Sequence, residues 1–487
     1  MLPAAASHED HASVMPDAPA DHPAQRGETF DAAVIGAGVV GCAVARRLTL
    51  EGAKVVVIEK ASDILDGASK GNSGILHTGF DAPPDSLEQR CIAAGYREYL
   101  EIRERLNLPL LACGALVLAW NEEEEARLPA LMAQARANGV DDVAALSRAE
   151  ILALEPNLSP RVRAGFRVPR EYVIDPWSAP TAYLRQALEN GAACRRGCEV
   201  LGGAFDGEAW DLETGGGPLR ARAVVNCAGL YGDIVDRRLL GEASFTIRPR
   251  KGQFVVFDKA AASLAEAIIL PVPTAKTKGV VICRTSFGNL LVGPTAEDQD
   301  SRDDASTDGA TLKMLRDKGI EMLPALAGMP VTATYAGLRP ASEDKDYQVK
   351  ARAAQRYVTV GGIRSTGLSS ALGLAREVHR LLVSFGDSYT PPQEAAWPRA
   401  GVLTDYAERA WARPDNGGIV CHCELVTRRE IEAALDGPLA ARSLAGLKRR
   451  TRATMGRCQG FYCLGALSQI TEGCFEEPLA EDEGDAG

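Results

Sequence analysis

Apolar and polar positions along the chain follow two different periods in its first half. Residues 30–60 read as an apolar strand, a glycine-containing turn, a helix with apolar positions at helical spacing, and a second apolar strand. This order predicts a βαβ unit. Helical spacing returns at 86–106, 122–137 and 178–189, and the strand-like ARAVVNCAG follows at 221–229. Strands that alternate with helices predict a mixed α/β architecture.

The stretch from about 245 to 335 has a different pattern. Short alternating segments such as QFVVFD, GVVICRT and NLLVGPT are separated there by Gly, Pro and Asn. They predict a mostly antiparallel sheet that could roof a pocket. A strand, a glycine-rich turn and a helix then follow at 357–382.

Composition narrows the possible classes of protein. A chain of 487 residues is long for one core, so we expect two or three domains. The net charge of -11 disfavours binding to nucleic acid or to an anionic membrane. No apolar run reaches the roughly 20 residues that span a bilayer, and the first 28 residues lack the features of a signal peptide. We therefore expect a cytoplasmic protein with a disordered N-terminal extension, whose partners are small molecules or other proteins.

A glycine motif lies directly after the first predicted strand. Gly36 permits a tight turn, Gly38 lets the backbone approach a pyrophosphate, and Gly41 lets the following helix pack on the sheet. Glu59 closes the next strand, at the distance where an acid binds a ribose hydroxyl. Glycine turns also serve simple packing, but strand, helix and acid together favour a dinucleotide site for NAD or FAD. A polar, glycine-rich segment at 68–80 suits a second part of a large cofactor and favours FAD.

Several motifs taken together carry a family resemblance over about residues 30–385. The glycine motif with Glu59, NSGILH (72–77), VVNCAG (224–229), AGLRP (336–340) and GGIRSTG (361–367) resemble those of the D-amino-acid-oxidase-like family of FAD enzymes. Within that family the chain is most similar to the branch that holds the anaerobic-type glycerol-3-phosphate dehydrogenases and the L-2-hydroxyglutarate dehydrogenases.

The resemblance implies that FAD lies extended along the first domain, with the turn at 362–367 and the helix after it facing the flavin. A helix N-terminus there would stabilise negative charge on the reduced ring. The residues expected to bind the cofactor are Gly36, Gly38, Gly41, Glu59, Asn72, Ser73, Gly74, Val200, Ala228, Gly229, Gly362 and Gly367.

Oxidation of a secondary alcohol by hydride transfer also removes a hydroxyl proton, so a base is useful. His77 is the only one of the six histidines in a segment expected to face the flavin, and it is either that base or only a contact to backbone or cofactor. The resemblance places Arg339 and Arg364 on the substrate side, where a guanidinium suits a carboxylate or phosphate. The alternative is that they form surface or interdomain ion pairs. The two branches of the family carry Arg or His before the residue matching Asn72, whereas this chain has Gly71.

Four cysteines near the end of the chain form two close pairs. Cys421 and Cys423 have C-x-C spacing, and Cys458 and Cys463 have C-x4-C spacing. Four thiolates are the usual complement of a [2Fe-2S] cluster, and zinc is the rival although C-x-C is unusual for it. The surrounding sequence resembles the bacterioferritin-associated-ferredoxin-like [2Fe-2S] domain found at the end of anaerobic-type glycerol-3-phosphate dehydrogenases. The cluster would relay electrons from FAD to an acceptor protein or partner subunit.

The segment around the second cysteine pair is basic, within an acidic protein. Such runs are usually solvated faces. Our hypothesis is that this one lowers the charge penalty of the cluster and docks an acidic electron carrier. Its basic residues are Lys448, Arg449, Arg450, Arg452 and Arg457.

These patterns predict an α/β fold with a Rossmann-type FAD-binding domain, an inserted, mostly antiparallel β substrate domain and a small helical C-terminal [2Fe-2S] domain. The expected divisions are an extension (1–28), the FAD-binding domain (29–105, 172–240 and 335–386), the substrate domain (106–171 and 241–334), a linker (387–417), the cluster domain (418–476) and an acidic tail (477–487).

The predicted function is oxidation of a small anionic secondary alcohol, with glycerol 3-phosphate first and a 2-hydroxy acid second. Alternatives are an amine or opine-type dehydrogenase of the same fold, and an electron-transfer or redox-sensing protein without a substrate of its own.

Overall fold

The computed structural model describes residues 28–273 and 279–480. The expected N-terminal extension before Glu28 and the acidic tail from 481 onward lie outside the described residues. The strands are β1 (Thr29–Ile35), β2 (Val55–Ile58), β3 (Ile75–Leu76), β4 (Ala115–Ala119), β5 (Ala144–Ser147), β6 (Ala164–Val168), β7 (Tyr172–Val173), β8 (Ala193–Arg195), β9 (Val200–Phe205), β10 (Trp210–Thr214), β11 (Leu219–Asn226), β12 (Arg248–Phe257), β13 (Ile268–Pro271), β14 (Val281–Arg284), β15 (Leu290–Gly293), β16 (Glu297–Asp298), β17 (Val331–Ala341), β18 (Gln348–Arg352), β19 (Tyr357–Gly361), β20 (Ile419–Cys421) and β21 (Val426–Thr427). The helices are α1 (Val39–Leu50), α2 (Leu87–Leu106), α3 (Glu122–Ala137), α4 (Arg148–Leu154), α5 (Ser178–Glu189), α6 (Gly232–Leu240), α7 (Gly309–Met322), α8 (Gly367–Ser384), α9 (Arg428–Ala434), α10 (Leu444–Thr451) and α11 (Leu464–Ile470).

The first sheet has the strand order β18-β19-β11-β1-β2-β8, with β10 and β9 attached beside β11. β1 pairs parallel with both β2 and β11, as a βαβ unit requires. All four residues of β2 are buried, because helices cover the sheet and leave its central strands no solvent-facing side. The predicted Rossmann-type fold is therefore confirmed.

Helices α1, α2 and α8 pack closely together beside this sheet, and glycines make the approach possible. A Cβ atom at Gly373 in α8 would lie 2.1 Å from the carbonyl oxygen of Cys91 in α2, and one at Gly95 would lie 2.2 Å from that of Ser369. Any side chain would force the two helices apart. This packing holds the N-terminal end of α8 beside β3.

The second sheet has the strand order β16-β12-β15-β14-β13-β4-β6-β5, with β17 paired to β12. Its pairings are antiparallel except for β13 with β4, so the expectation of a mostly antiparallel sheet is confirmed. We propose that this sheet forms the core of the substrate domain. The expected domain boundary at residue 335 falls inside β17, which stays in this sheet to Ala341.

The C-terminal residues from 419 form a small unit of short helices around a two-stranded hairpin. A capping box starts α9, in which Thr427 and Glu430 satisfy each other's backbone amides. Leu447 of α10 and Leu467 of α11 are completely buried in its core. None of the described helices has the length and apolar character needed to cross a membrane.

This unit docks on the first sheet's domain through its basic segment. Arg450 donates to Asp63 at 2.7 Å and 3.1 Å, and Arg449 contacts Asp66 at 3.2 Å, with both arginine side chains less than a tenth exposed. For Arg449 and Arg450, these contacts correct the hypothesis that the basic segment docks a partner. Arg449 and Arg450 instead neutralise acids of the same chain.

Candidate active site and cluster-binding loops

A cavity of about 870 Å³ is lined by residues of both large sheets. Gly41 and Gly74 are not among the residues that line it, and their glycine character serves backbone packing behind it. The expected site residues that line the cavity are Gly36, Gly38, Glu59, Asn72, Ser73, His77, Val200, Ala228, Gly229, Arg339, Gly362, Arg364 and Gly367.

The glycine turn between β1 and α1 leaves no room for side chains. Gly36 has φ +100°, and a Cβ atom there would lie 2.7 Å from the carbonyl oxygen of Cys227. A Cβ atom at Gly41 would lie 1.8 Å from the carbonyl oxygen of Gly36. The amide of Val39 donates to the hydroxyl of Ser69 at 2.9 Å, which ties the helix N-terminus to the segment after β2. The turn thus presents bare backbone at a helix N-terminus, the arrangement that binds a pyrophosphate.

Glu59 is fixed beside this turn by two backbone amides. Its carboxylate accepts hydrogen bonds from Ala37 at 2.7 Å and from Ala61 at 2.9 Å. Burial raises the pKa of Glu59, and the two hydrogen bonds oppose that shift. A carboxylate has room for about four hydrogen bonds, so Glu59 can still accept from a ribose hydroxyl.

The segment after β2 folds back on itself beside the cavity. Asn72 accepts the amide of Gly74 at 2.8 Å, and Gly74 has φ +76°. A Cβ atom at Gly71 would lie 2.7 Å from the Cα of Gly337 in β17. This close contact leaves no space for a side chain at position 71.

His77 is held by a buried carboxylate that sequence reasoning missed. The short strands β3 and β7 pair antiparallel, with Leu76 opposite Tyr172, which brings His77 beside Glu171. His77 Nδ1 lies 2.8 Å from Glu171 Oε2, and Thr78 donates its amide and hydroxyl to the other oxygen at 2.6 Å and 2.7 Å. Glu171 has no exposed surface.

This contact assigns the hydrogen positions on the imidazole ring. When Glu171 is ionised and the imidazole is neutral, Nδ1 of His77 carries the hydrogen, because a carboxylate only accepts, and Nε2 is the proton acceptor. The backbone amide of His77 also donates to the hydroxyl of Ser369 at 2.8 Å, which fixes the residue against the start of α8. Nothing in the local sequence around Glu171 signals this partnership, which spans 94 residues.

Three arginines face one side of the cavity. Arg339 in β17 lies directly opposite Arg250 in β12, a residue that sequence reasoning did not select. Arg250 is paired with Asp298 at 2.6 Å, whereas the one hydrogen bond of the Arg339 guanidinium to a described residue goes to the carbonyl oxygen of Thr295 at 3.2 Å. Burial, followed by the charge of Arg250, lowers the pKa of Arg339 to about 10. The guanidinium therefore stays cationic at neutral pH without a carboxylate partner among the described residues.

Arg364 follows β19 and also lines the cavity. It donates to the backbone carbonyl oxygens of Ser342, at 3.2 Å, and Asp344. Burial and then the charge of Arg250 lower the pKa of Arg364. Arg250 and Arg339 are like charges placed directly opposite each other, an arrangement that an anion in the cavity would stabilise.

The four expected cluster ligands come together in the C-terminal unit. Cys421 and Cys463 are buried, and Cys423 and Cys458 are partly exposed. Burial and the neighbouring thiol of Cys458 raise the pKa of Cys423, and burial and the neighbouring thiol of Cys421 raise the pKa of Cys463. Each cysteine of the first sequence pair therefore has a cysteine of the second pair as its neighbour in the fold.

Backbone amides of the loop that follows Cys458 affect the pKa of its thiol. Hydrogen bonds from the amides of Tyr462, Gly460 and Phe461 lower the pKa of this thiol, although burial acts against them. Such amides stabilise thiolates and tune iron–sulfur clusters. A Cβ atom at Gly456 would lie 2.3 Å from the Cβ of Cys423, so this glycine permits the second loop to approach the first.

The donor set fits two irons better than one metal ion. Within 28–273 and 279–480, no three His, Cys, Asp or Glu side chains are grouped closely enough to hold a single ion. A [2Fe-2S] cluster instead takes four thiolates shared between two irons, which matches the two thiol pairs.

Comparison with known families agrees with both sites. Residues 31–381 match the model of the FAD dependent oxidoreductase family. The chain belongs to this family. Residues 419–472 match the BFD-like [2Fe-2S] binding domain, so the FAD dependent oxidoreductase carries a second, cluster-binding unit. FAD and a [2Fe-2S] cluster are its cofactors, as the sequence predicted.

Individual relatives place this FAD dependent oxidoreductase more narrowly. It is 33% identical to a glycerol 3-phosphate dehydrogenase of Caloramator mitchellensis over 91% of this chain and 93% of the relative. It is 27% identical to the mitochondrial L-2-hydroxyglutarate dehydrogenase of Homo sapiens over 55% of this chain and 61% of that protein. The structure of the FAD-bound L-alpha-glycerophosphate oxidase of Mycoplasma pneumoniae superposes with a TM-score of 0.71 at 28% identity, covering 76% of this chain and 98% of that one.

Proposed function

We propose that the protein oxidises glycerol 3-phosphate at its secondary hydroxyl and passes the electrons from FAD through the [2Fe-2S] cluster to a partner protein. The observation that carries the substrate assignment is the pair of arginines that face each other across β12 and β17. Arg339 is partly buried and has no carboxylate partner among the residues described, and a bound phosphate dianion would supply the missing charge. The name of the Caloramator relative supports the same substrate.

His77 serves as the base in this proposal. Its Nε2 accepts the hydroxyl proton while the carbon-bound hydride leaves, and Glu171 stabilises the imidazolium that results. FAD, when bound, supplies the acceptor for the hydride. The amide of His77, bonded to Ser369, keeps the ring in register with the N-terminus of α8.

Arg339 and Arg364 orient the substrate. A planar guanidinium can bind two phosphate oxygens at once, which fixes the direction of the substrate as well as its distance. Gly252 makes room for this, because a Cβ atom there would lie 2.4 Å from Nη2 of Arg339. Anion binding at one end and proton removal at the other define a substrate with a hydroxyl near a phosphate or carboxylate.

The electron exit is supported by the surface of the second cysteine loop. Phe461 and Tyr462, between Cys458 and Cys463, are 81% and 76% exposed. Exposed aromatic side chains of this kind mark protein contact surfaces. We propose that the acceptor protein approaches the cluster over this loop.

A 2-hydroxy acid is the second candidate substrate. The Homo sapiens relative is named for L-2-hydroxyglutarate, and a carboxylate fits an arginine fork as a phosphate does. The two candidates differ in charge distribution and length, so direct comparison separates them.

An anaerobic titration of the purified protein, holding both cofactors, tests the proposal. Glycerol 3-phosphate, L-2-hydroxyglutarate, glycine and proline are added separately while flavin absorbance is followed. We expect bleaching by glycerol 3-phosphate at the lowest concentration. Bleaching by the hydroxy acid alone would favour the second candidate, bleaching by an amine would overturn alcohol oxidation, and no bleaching at all would favour an electron-transfer protein.

A further inference from the structure

Three side chains from distant parts of the chain form a continuous stack beside the cofactor cavity. The rings of Trp177 and Phe287 are nearly parallel, with an interplanar angle of 12° and centroids 5.6 Å apart. The guanidinium of Arg452 lies over the same Phe287 ring, 4.0 Å from its centroid. Trp177 precedes α5, Phe287 lies in the turn between β14 and β15, and Arg452 caps the C-terminus of α10. The stack therefore joins the first sheet's domain, the second sheet and the cluster-binding unit.

One end of the stack reaches the wall of the cavity. The indole nitrogen of Trp177 donates to the carbonyl oxygen of Lys70 at 3.3 Å. Lys70 and Pro176, the neighbour of Trp177, both line the cavity. Trp177 is thus a direct neighbour of the segment that is expected to contact the cofactor.

The other end of the stack reaches the first cysteine loop. Arg452 donates from Nε to Glu424 at 2.9 Å, and both side chains are less than a tenth exposed. Glu424 directly follows Cys423, an expected cluster ligand. Direct contacts therefore run without a gap from the cavity wall to the residue beside a cluster thiol.

The geometry of Arg452 leaves it little freedom. Its backbone is in the left-handed region at φ +69°, its guanidinium is stacked on Phe287, and its Nε is bonded to Glu424. A second cation, Lys259 in the segment that follows β12, contacts Glu424 at 3.2 Å. Ionic contacts that are buried and satisfied on both sides fix relative orientation, which is what a rigid junction between domains needs.

We propose that the stack of Trp177, Phe287 and Arg452 positions the Cys423 loop against the cofactor cavity and thereby sets the rate at which electrons pass from FAD to the cluster. This inference rests on the proposed electron route. Oxidation of one substrate molecule delivers two electrons to FAD, and the cluster takes one at a time as one iron goes from Fe³⁺ to Fe²⁺. Two successive transfers, and a one-electron acceptor protein that reoxidises the cluster each time, restore oxidised FAD.

The test uses Phe287→Leu, which keeps an apolar side chain and removes the ring. The holoenzyme is mixed anaerobically with glycerol 3-phosphate, and flavin bleaching and the electron paramagnetic resonance signal of the reduced cluster are timed separately. We expect unchanged flavin bleaching and a cluster reduction slowed on the order of tenfold or more, because small displacements of reacting groups cost at least that much rate. Hydrogen exchange at 421–427 should rise in the same variant.

Three further variants keep the outcome decisive. Phe287→Tyr keeps a ring and should restore the rate. Arg452→Lys keeps the charge beside Glu424 but lacks the flat guanidinium, and it should also slow cluster reduction. It therefore tests the stack independently if Phe287→Leu folds poorly. Phe205→Leu removes a ring that packs on Trp210, 5.7 Å away in the first sheet, and should leave the rate unchanged.

Two failures are distinguishable. If the unaltered protein bleaches its flavin but never reduces its cluster, the proposed electron route is wrong. If the unaltered protein reduces its cluster and both Phe287→Leu and Arg452→Lys do so equally fast with unchanged hydrogen exchange, the stack does not position the cluster.

Discussion

Glu171 is completely buried, and each of its carboxylate oxygens is occupied by a hydrogen bond from the His77 segment. The carboxylate determines which nitrogen of His77 can take a proton, because it demands a hydrogen on Nδ1. At the residue scale, the proposed chemistry therefore depends on a pair of side chains rather than on the histidine alone.

Glu171→Gln tests this pair while keeping its shape. The amide would present hydrogens toward Nδ1 and favour the other tautomer, which leaves no base at Nε2. We expect the rate of flavin reduction by substrate to fall by about 10²- to 10⁴-fold, the usual contribution of a positioned base. Stopped-flow bleaching at saturating substrate measures it, with flavin content as the control. A rate within a factor of two of the unaltered protein's would remove His77 as the base.

Arg339→Leu tests the anion site. Removal of this guanidinium should raise KM for glycerol 3-phosphate by about 10- to 100-fold, as expected for the loss of a hydrogen bond to a charged group, with a smaller change in kcat. Arg185→Leu, on the exposed side of α5, is the matched control. Equal KM values in the two variants would show that Arg339 does not bind the substrate.

At the scale of single elements, the glycine turn before α1 is specified by local sequence and close packing together. Gly41 faces the carbonyl oxygen of Gly36, so the helix can begin only if no Cβ atom stands between them. The motif can therefore be recognised in the sequence. The same holds for α2, α3 and α5, whose apolar spacing predicted their positions closely.

Gly41→Ala should displace the turn and lose FAD. The added Cβ atom would lie 1.8 Å from a backbone oxygen, so the backbone must move, and overpacking of this kind costs about 1–3 kcal/mol or more. Gly309→Ala is the matched control, because an added Cβ atom meets nothing within 4 Å at the start of α7. Flavin content after purification and thermal unfolding measure the difference, and full flavin retention by Gly41→Ala would contradict the packing account.

Elements that depend on distant pairing were harder to read from the sequence. The second sheet also contains β4, β5 and β6, which lie within 115–168. The alternation of apolar and polar residues did not predict strands in that region. The partnership of His77 with Glu171 and the register of Arg250 against Arg339 likewise depend on which strands pair. Local periodicity carries no information about such contacts.

At the scale of the whole molecule, the basic segment of the cluster unit is a further case in which the sequence does not reveal contacts between distant residues. Its charge is visible in the sequence, but the acids that pair with Arg449 and Arg450, Asp66 and Asp63, lie more than 380 residues away. The sequence therefore suggested a partner protein as the source of the opposite charge, whereas in the fold Asp63 and Asp66 of the same chain supply it.

Asp63→Asn tests this docking. Asp63 is 1% exposed and accepts from two nitrogens of Arg450 and from the amide of Arg442. Loss of its charge leaves a buried arginine unpaired, at a cost of about 3–5 kcal/mol for such a broken pair. Hydrogen exchange at 442–452 should increase, whereas Asp436→Asn, at an exposed position of the same unit, should not change it. Unchanged exchange in Asp63→Asn would mean that other contacts hold the unit in place.

The most direct test of the whole account is electron paramagnetic resonance of the holoenzyme frozen after anaerobic addition of glycerol 3-phosphate alone. The account predicts that the flavin bleaches and that the signal of a reduced [2Fe-2S] cluster then appears, without any other reductant. A bleached flavin beside a cluster that stays oxidised, but that dithionite can reduce, would contradict it.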